Sequence, residues 1–313
     1  MKRYLILLIL IPLFFSCELT QEPPSQGKVY GVFIGLDYQG TNEKKLEGTL
    51  NDARELKDAF EHIARKSTLS YQPYLMLQDK NISTYDEYKI EGVSIPSYAT
   101  YENVKTLLAQ LEKVIKPEDL LIITYHGHGT ENLITFAPKM ENEAEADRRT
   151  VSTEILPLFD SINGRKLLIL DSCESGTSIS PSASSTSLVY EQTPRSWFET
   201  YFSKERYAIP STFLLTSAAD SDAYEFVGEH GHGVFTLALL EGLGAVHNSR
   251  DFSPTYSESI PALRKGVISV DSLYTYIKNN QRKPLRTSLS NPAAQYQHPM
   301  TNGGAMDFIL FHL

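Results

Sequence analysis

The sequence predicts one α/β domain built around a mostly parallel sheet. Short apolar runs rich in β-branched and aromatic residues alternate with segments of helical spacing, the pattern of strands joined by crossover helices. Two of these runs, LLIITY at Leu120–Tyr125 and KLLIL at Lys166–Leu170, are apolar without interruption, as strands buried on both faces must be. With 41% hydrophobic and 21% charged residues in 313, the composition is that of a chain able to bury a substantial core.

The chain opens on Met1, Lys2 and Arg3, a nearly unbroken apolar run from Tyr4 to Phe15, then Ser16 and Cys17. The run is shorter than the ~20 residues of a spanning helix and has the layout of a signal peptide over residues 1–17. Ser16 directly before Cys17 resembles the lipobox of bacterial lipoproteins, with Phe14 and Phe15 in place of its usual Leu and small residue. That resemblance implies lipidation of Cys17 and an exported, membrane-anchored chain on the periplasmic or cell-surface face. An ordinary secretory signal is the alternative. Residues 18–27, rich in Pro, Gln, Ser and Glu, read as a flexible tether, leaving 28–313 as the folded domain.

VYGVFIGL at Val29–Leu36 is a buried strand by its apolar, β-branched content. From Leu46 to Ala64, Leu50, Ala53, Leu56, Phe60 and Ile63 recur at intervals of three and four, which predicts a helix with one face on the sheet. A strand at Tyr74–Leu77 and a helix at Tyr101–Ile115 repeat the pattern. After Leu120–Tyr125 a weaker helix at Thr153–Phe159 leads to Lys166–Leu170. A strand at Thr212–Thr216, helices at Gly233–Leu243 and Ser272–Lys278, and a closing strand at Met306–Phe311 complete the domain. Two stretches break the rhythm, the charged Lys139–Thr150 and the Ser, Thr and Pro-rich Ser175–Pro210. Both lie past strand ends, where loops of that length are commonly functional.

The formal charge of −9 and pI near 5.4 argue against general nucleic-acid binding, because a polyanion is repelled. The two cysteines, Cys17 and Cys173, sit in such different settings that each has its own explanation. LLIITY runs into His126, Gly127, His128, Gly129 and Thr130, while KLLIL runs into Asp171, Ser172, Cys173, Glu174, Ser175 and Gly176. Adjacent parallel strands bring both loops to one sheet edge, placing a thiol nucleophile beside an imidazole base. Taken singly, Cys173 could be a buried structural cysteine and either histidine a loop residue. A redox role would need a second nearby cysteine.

YHGHGT and DSCESG resemble the histidine and cysteine segments of the metacaspases, in the same chain order. LEGTLNDARELKDAF at Leu46–Phe60, SAADSDAYE at Ser217–Glu225 and HGVFTLALLEGL at His232–Leu243 extend the resemblance over nearly the whole chain after the tether. It implies a caspase-like three-layer sandwich, a mostly parallel central sheet of about six strands flanked by helices. It also implies a cysteine endopeptidase acting through an acyl-enzyme, with His128 as base and Cys173 as nucleophile. The backbone N–H groups of Gly129 and Cys173 would form the oxyanion hole, and His126 would be a pocket residue.

By the same resemblance, Asp52 of Asn51-Asp52-Ala53 and Asp171 line the pocket for the residue preceding the cut, with Asp220 on its border. Two carboxylates there favour cleavage after Arg or Lys. Read without the family, Asp52 is a helix first-turn acid and Asp171 a turn former. Arg195, Lys204 and Arg206 are candidate self-cleavage points. No cofactor is expected; Glu141, Glu143, Glu145 and Asp147 could bind calcium but read more simply as a solvated run. Protein or peptide substrates follow, and the resemblance tilts toward a monomer. The rival readings are a peptidase without basic preference and a caspase-fold lipoprotein that binds without turnover.

Overall fold

Residues 27–178, 212–219, 222–226, 230–248, 254–281, 297–302 and 308–313 are described by a computed structural model. The signal peptide, Cys17 and nearly all of the tether therefore lie outside the described residues, as do Asp220, Arg195, Lys204 and Arg206.

Six strands build the central sheet: β1 (Lys28–Leu36), β2 (Ser70–Gln78), β3 (Leu120–His126), β4 (Arg165–Asp171), β5 (Phe213–Thr216) and β6 (Met300–Thr301). Their spatial order is β2-β1-β3-β4-β5-β6, with every pairing parallel except that of β5 with β6. The chain winds to one side of β1 for β2 and to the other for the rest. A crevice outside the carboxyl ends of the strands opens at such a reversal.

Because successive strand residues face opposite ways, the apolar runs feed two cores. Val29 and Phe33, Leu120 and Ile122, and Leu167 and Ile169 point to one face, while Val32 and Ile34, Leu121 and Ile123, and Leu168 and Leu170 point to the other. The described α-helices are α1 (Thr49–Lys66), α2 (Tyr101–Val114), α3 (Pro157–Asp160), α4 (Val234–Gly242) and α5 (Val270–Asn280). The first core takes Ala53, Leu56, Phe60 and Ile63 of α1, Phe235 and Leu239 of α4, and Leu273 and Ile277 of α5. The second takes Val104, Leu107, Leu108 and Leu111 of α2 and Phe159 of α3. The three layers of the expected α/β sandwich are therefore present.

Helix starts are fixed by side chains that satisfy otherwise orphaned N–H groups. Thr100 Oγ1 accepts from Asn103 N at 3.1 Å to begin α2. Ahead of α1, where Gly48 offers no side chain, the Glu225 carboxylate accepts from Gly48 N at 2.9 Å.

Three expectations about elements need correction. Ile309–His312 is a strand, but it pairs antiparallel with Val267–Ser269 in a separate two-stranded sheet, and Met300–Thr301 closes the main sheet instead. The apolar residues of that last run, Phe308, Leu310 and Phe311, are buried in the helical layer beside Phe60, so their apolarity signals burial without naming a strand partner. The charged stretch ends in a strand, Asp147–Thr150, paired with Leu133–Phe136, which also pairs with Gly129–Thr130. Arg149 reaches Asp147 at 2.8 Å and Glu154 at 3.0 Å, compensating the charges on this edge. The weak helix divides into a π turn at Val151–Ile155 and α3, with Pro157 at the first turn of α3.

Candidate active site

The register of β3 and β4 sets His126 opposite Asp171, and Gly127 N donates to Asp171 O at 3.3 Å. His128 and Cys173 each stand two positions beyond that pair, at the same sheet edge. The loops that carry them are pressed together. A methyl group on Gly129 would lie 2.6 Å from Ser172 Oγ and 3.0 Å from the Cys173 carbonyl oxygen, so only glycine fits. Glu174, in the left-handed region at φ 50°, folds its carboxylate back to accept from Glu131 N at 2.8 Å and Thr130 Oγ1 at 3.1 Å.

His128 is held from two sides. Its ring lies 4.6 Å, centroid to centroid, from that of Tyr38, whose hydroxyl accepts from His128 N at 2.9 Å and donates to Thr135 O at 2.6 Å. On the other side, His128 Nε2 is 2.6 Å from Lys44 O. A carbonyl only accepts, so Nε2 carries the ring proton and Nδ1 is left as the basic nitrogen. Tyr38 has φ 57°, a strained conformation for a bulky residue and one that aims its phenol under the histidine.

Cys173 is half-buried and a free thiol. Its Sγ accepts from Ala223 N at 3.4 Å. Burial pushes the thiol above its ordinary value, opposed by the Ala223 N–H and reinforced by the acidic Asp222, Asp171 and Glu174. The resting group is therefore a thiol, which needs a base to become nucleophilic.

Strand alternation explains a second, fully buried group. His126 and Asp171 follow Ile122 and Ile169 by even steps, so they face the α1 and α4 layer. There Asp171 Oδ2 accepts from Thr236 Oγ1 at 2.6 Å, and His126 Nδ1 lies 3.3 Å from the same hydroxyl. Asp52, reaching inward from α1, accepts from Gly233 N at 3.0 Å and lies 2.8 Å from His232 Nδ1. The ligand atoms of Asp52, His126 and Asp171 all fall within 4.8 Å of one another.

Charge is unevenly compensated in this group. Burial lowers His126 to about 3, so it is neutral, and its buried Nε2 has no hydrogen-bond partner among the described residues. Burial opposes protonation of His232, but Asp52 and Glu55 outweigh it and raise the imidazole to about 10. Burial pushes Asp52 up to about 7 against the pull of His232, so the shared proton resides on the histidine and the two form an ion pair. Burial likewise raises Asp171 to about 6, its hydrogen bonds with Thr236 and Ser217 opposing. Asp171 is thus a buried acid, ionised at neutral pH, held by the Thr236 and Ser217 hydroxyls and the Thr236 backbone N–H, with no cation among these partners.

Of the expected site residues, the structure brings His128, Gly129 and Cys173 to one edge and Asp52, Asp171 and His126 to one buried group beneath it. Asp147 of the charged run is engaged with Arg149, and neither cluster of three potential metal ligands among the described residues draws on Glu141, Glu143, Glu145 or Asp147. Sequence reasoning missed Tyr38, Lys44, His232 and Thr236. His232 lies within the HGVFTLALLEGL segment, where a histidine ahead of an apolar helix was the available signal. Lys44 acts through its backbone, which has no signature in sequence.

The profile of the peptidase C14 caspase domain matches residues 30–288. A metacaspase-5 from Trypanosoma cruzi is 28% identical over 109 residues, 35% of this chain and 22% of the relative, so the match spans about a fifth of that protein's length. Among solved structures, that of protein GSU0716 from Geobacter sulfurreducens is similar with a TM-score of 0.45 and 18% identity, covering 88% of this chain and 92% of that one.

Proposed function

Because the chain belongs to the caspase domain family of cysteine peptidases, we propose that it is an endopeptidase with Cys173 as nucleophile and His128 as base, cleaving after Arg or Lys. One observation carries this reading. The Nε2–H of His128 is committed to Lys44 O, which leaves Nδ1 as the proton acceptor at the edge where Cys173 stands.

In the first half-reaction, His128 Nδ1 takes the Cys173 proton as Sγ attacks the carbonyl carbon of the scissile bond. Collapse of the tetrahedral species breaks the C–N bond, and the imidazolium gives its proton to the leaving amine. Water, deprotonated by the same nitrogen, then hydrolyses the thioester and regenerates the thiol. Backbone N–H groups of Gly129 and Cys173 are the proposed donors to the oxyanion. A thiol held above its ordinary value makes this base step necessary.

The basic preference rests on Asp171. His232 already compensates Asp52, so a substrate guanidinium or ammonium would answer the remaining carboxylate, with the bare His126 Nε2 as a further acceptor. A binding module without turnover is the second reading, favoured by the contact of Ala223 on Cys173 Sγ.

Fluorogenic peptides ending in Arg, Lys, Asp or Leu, tested beside a Cys173→Ala control, separate these readings. Turnover confined to Arg and Lys and abolished in the control is expected. Silence across the panel with a folded chain would favour the binding module. We also propose that Cys17 is lipidated and holds the domain at a membrane through residues 18–27; Cys17→Ala should then move the protein from the membrane to the soluble fraction, and unchanged partition would count against the anchor.

A further inference from the structure

We propose that Glu55, His232 and His247 bind one divalent metal ion of the Zn2+ class behind the buried Asp52 group. The three residues come from separate elements: α1, the turn before α4, and the strand Ala245–His247. His232 Nε2 lies 3.3 Å from Glu55 Oε1 and His247 Nε2 lies 2.7 Å from Glu55 Oε2, with the two rings 5.2 Å apart at 61°. All three ligand atoms fall within 4.8 Å of one another. Ligands on a tetrahedral ion at about 2.0–2.2 Å stand roughly 3.3–3.6 Å apart, so modest side-chain adjustment closes this set around an ion.

The state of His232 separates this arrangement from an ordinary ion-pair cluster. The side chain is 2% exposed, and its Nε2, 3.3 Å from Glu55 Oε1, has no well-aligned hydrogen bond among the described residues. The opposite ring nitrogen, Nδ1, is 2.8 Å from Asp52 Oδ1, the carboxylate contact that fixes tautomer and orientation in histidine ligands of metals. His247 and Glu55 are 8% and 15% exposed, so solvent touches the set on their side. Two imidazoles and one carboxylate suit Zn2+ or Co2+ better than Ca2+ or Mg2+, which favour oxygen donors.

Binding replaces protons at the imidazole Nε2 atoms and releases them to solvent. The bound ion would hold His232 against Asp52, stiffening one wall of the candidate pocket; that consequence rests on the peptidase reading, whereas the site itself does not.

The test uses the full chain carrying Cys17→Ala and Cys173→Ala, so that no thiolate competes for metal. After chelator treatment it is titrated with Co2+, read by visible absorption, and with Zn2+, read by calorimetry. One equivalent of each and a tetrahedral Co2+ spectrum without a thiolate charge-transfer band are expected. Affinity should fall about 100-fold or more in Glu55→Gln and in His247→Ala, each checked for folding by circular dichroism. The isosteric Glu55→Gln decides alone if His247→Ala does not fold. Absence of saturable binding, or binding by the folded variants as tight as the parent's, overturns the site. Because the readout is binding in a chain without Cys173, a failure of the peptidase reading leaves this result intact.

Discussion

Tyr38 contributes to the candidate site through a single hydroxyl that meets His128 N and Thr135 O, in a backbone conformation that costs energy to hold. Tyr38→Phe keeps the ring against the imidazole and removes only the hydroxyl. Thr135 O keeps the Tyr125 hydroxyl at 2.7 Å, but His128 N loses its acceptor, a loss of about 1–3 kcal/mol. If the phenol positions the base, kcat falls about 10- to 100-fold with KM little changed, because positioning acts on the reacting geometry. A variant with lowered Tm but wild-type kcat would make Tyr38 purely structural. Asp171 carries a pH prediction with two opposite signs. Its folded value, about 6, lies above the ordinary 3.8, so the folded state favours the protonated form. Its stability contribution is fully present below about pH 4 and is lost as pH rises through 6. The pocket charge runs the other way: kcat/KM for an Arg peptide should climb through about pH 6 as the carboxylate forms, and Asp171→Asn should remove that acid limb. An identical limb in the variant would assign it to another group. His128, Cys173 and Asp171 carry their chemistry in side chains beside recognisable strand ends, whereas Asp52, in the first turn of α1, stands out only through the resemblance of Asn51-Asp52-Ala53. The partner of His128 has no such mark, since a carbonyl at Lys44 looks the same in every residue.

At the level of elements, the apolar runs were legible because strands buried on both faces allow no polar interruption, and β1, β3, β4 and β5 all carry that mark. What the pattern omits is pairing. Phe308, Leu310 and Phe311 are as apolar as a central strand yet serve the helical layer, and the two-residue β6 is too short to show any period. The small sheet joining Gly129–Thr130, Leu133–Phe136 and Asp147–Thr150 was hidden by its charged edge. That sheet matters because it anchors the loop after β3 against the turn after β4. Gly129 is a point of close approach, and a methyl group there would stand 2.8 Å from Ser172 Cβ. Gly129→Ala should therefore separate the two loops while leaving both cores in place. The expected outcome is a kcat/KM about 100-fold lower with a far-UV spectrum like the parent's, since misplacement of about 1 Å is enough for such a loss. Parental activity in the alanine variant would mean that the contact between the loops does not set the distance between base and nucleophile.

Over the whole molecule, the fold concentrates the candidate machinery at one end of the sheet while the chain as a whole carries −9 charges. Two length scales of electrostatics then act on a basic substrate. The field of the surface extends about 10 Å at 0.1 M salt and about 3 Å at 1 M, so added salt removes its attraction during approach. Asp171 lies 7% exposed behind the strand ends, where screening by mobile ions is far weaker. The two contributions separate in kinetics. For Arg and Lys peptides, kcat/KM should fall as salt rises from 0.1 to about 1 M, because encounter is steered by the net field. The kcat at saturating substrate should change little, since the buried carboxylate contact and the imidazole step are shielded from solvent ions. Turnover of a Leu peptide, to the extent that it occurs, should show neither effect. The salt series therefore reports whether the acidic character of the chain serves substrate capture: a kcat/KM for Arg peptides that is flat across the series would leave recognition to the buried pocket alone, while a fall in kcat itself would place a salt-sensitive ion pair within the catalytic step.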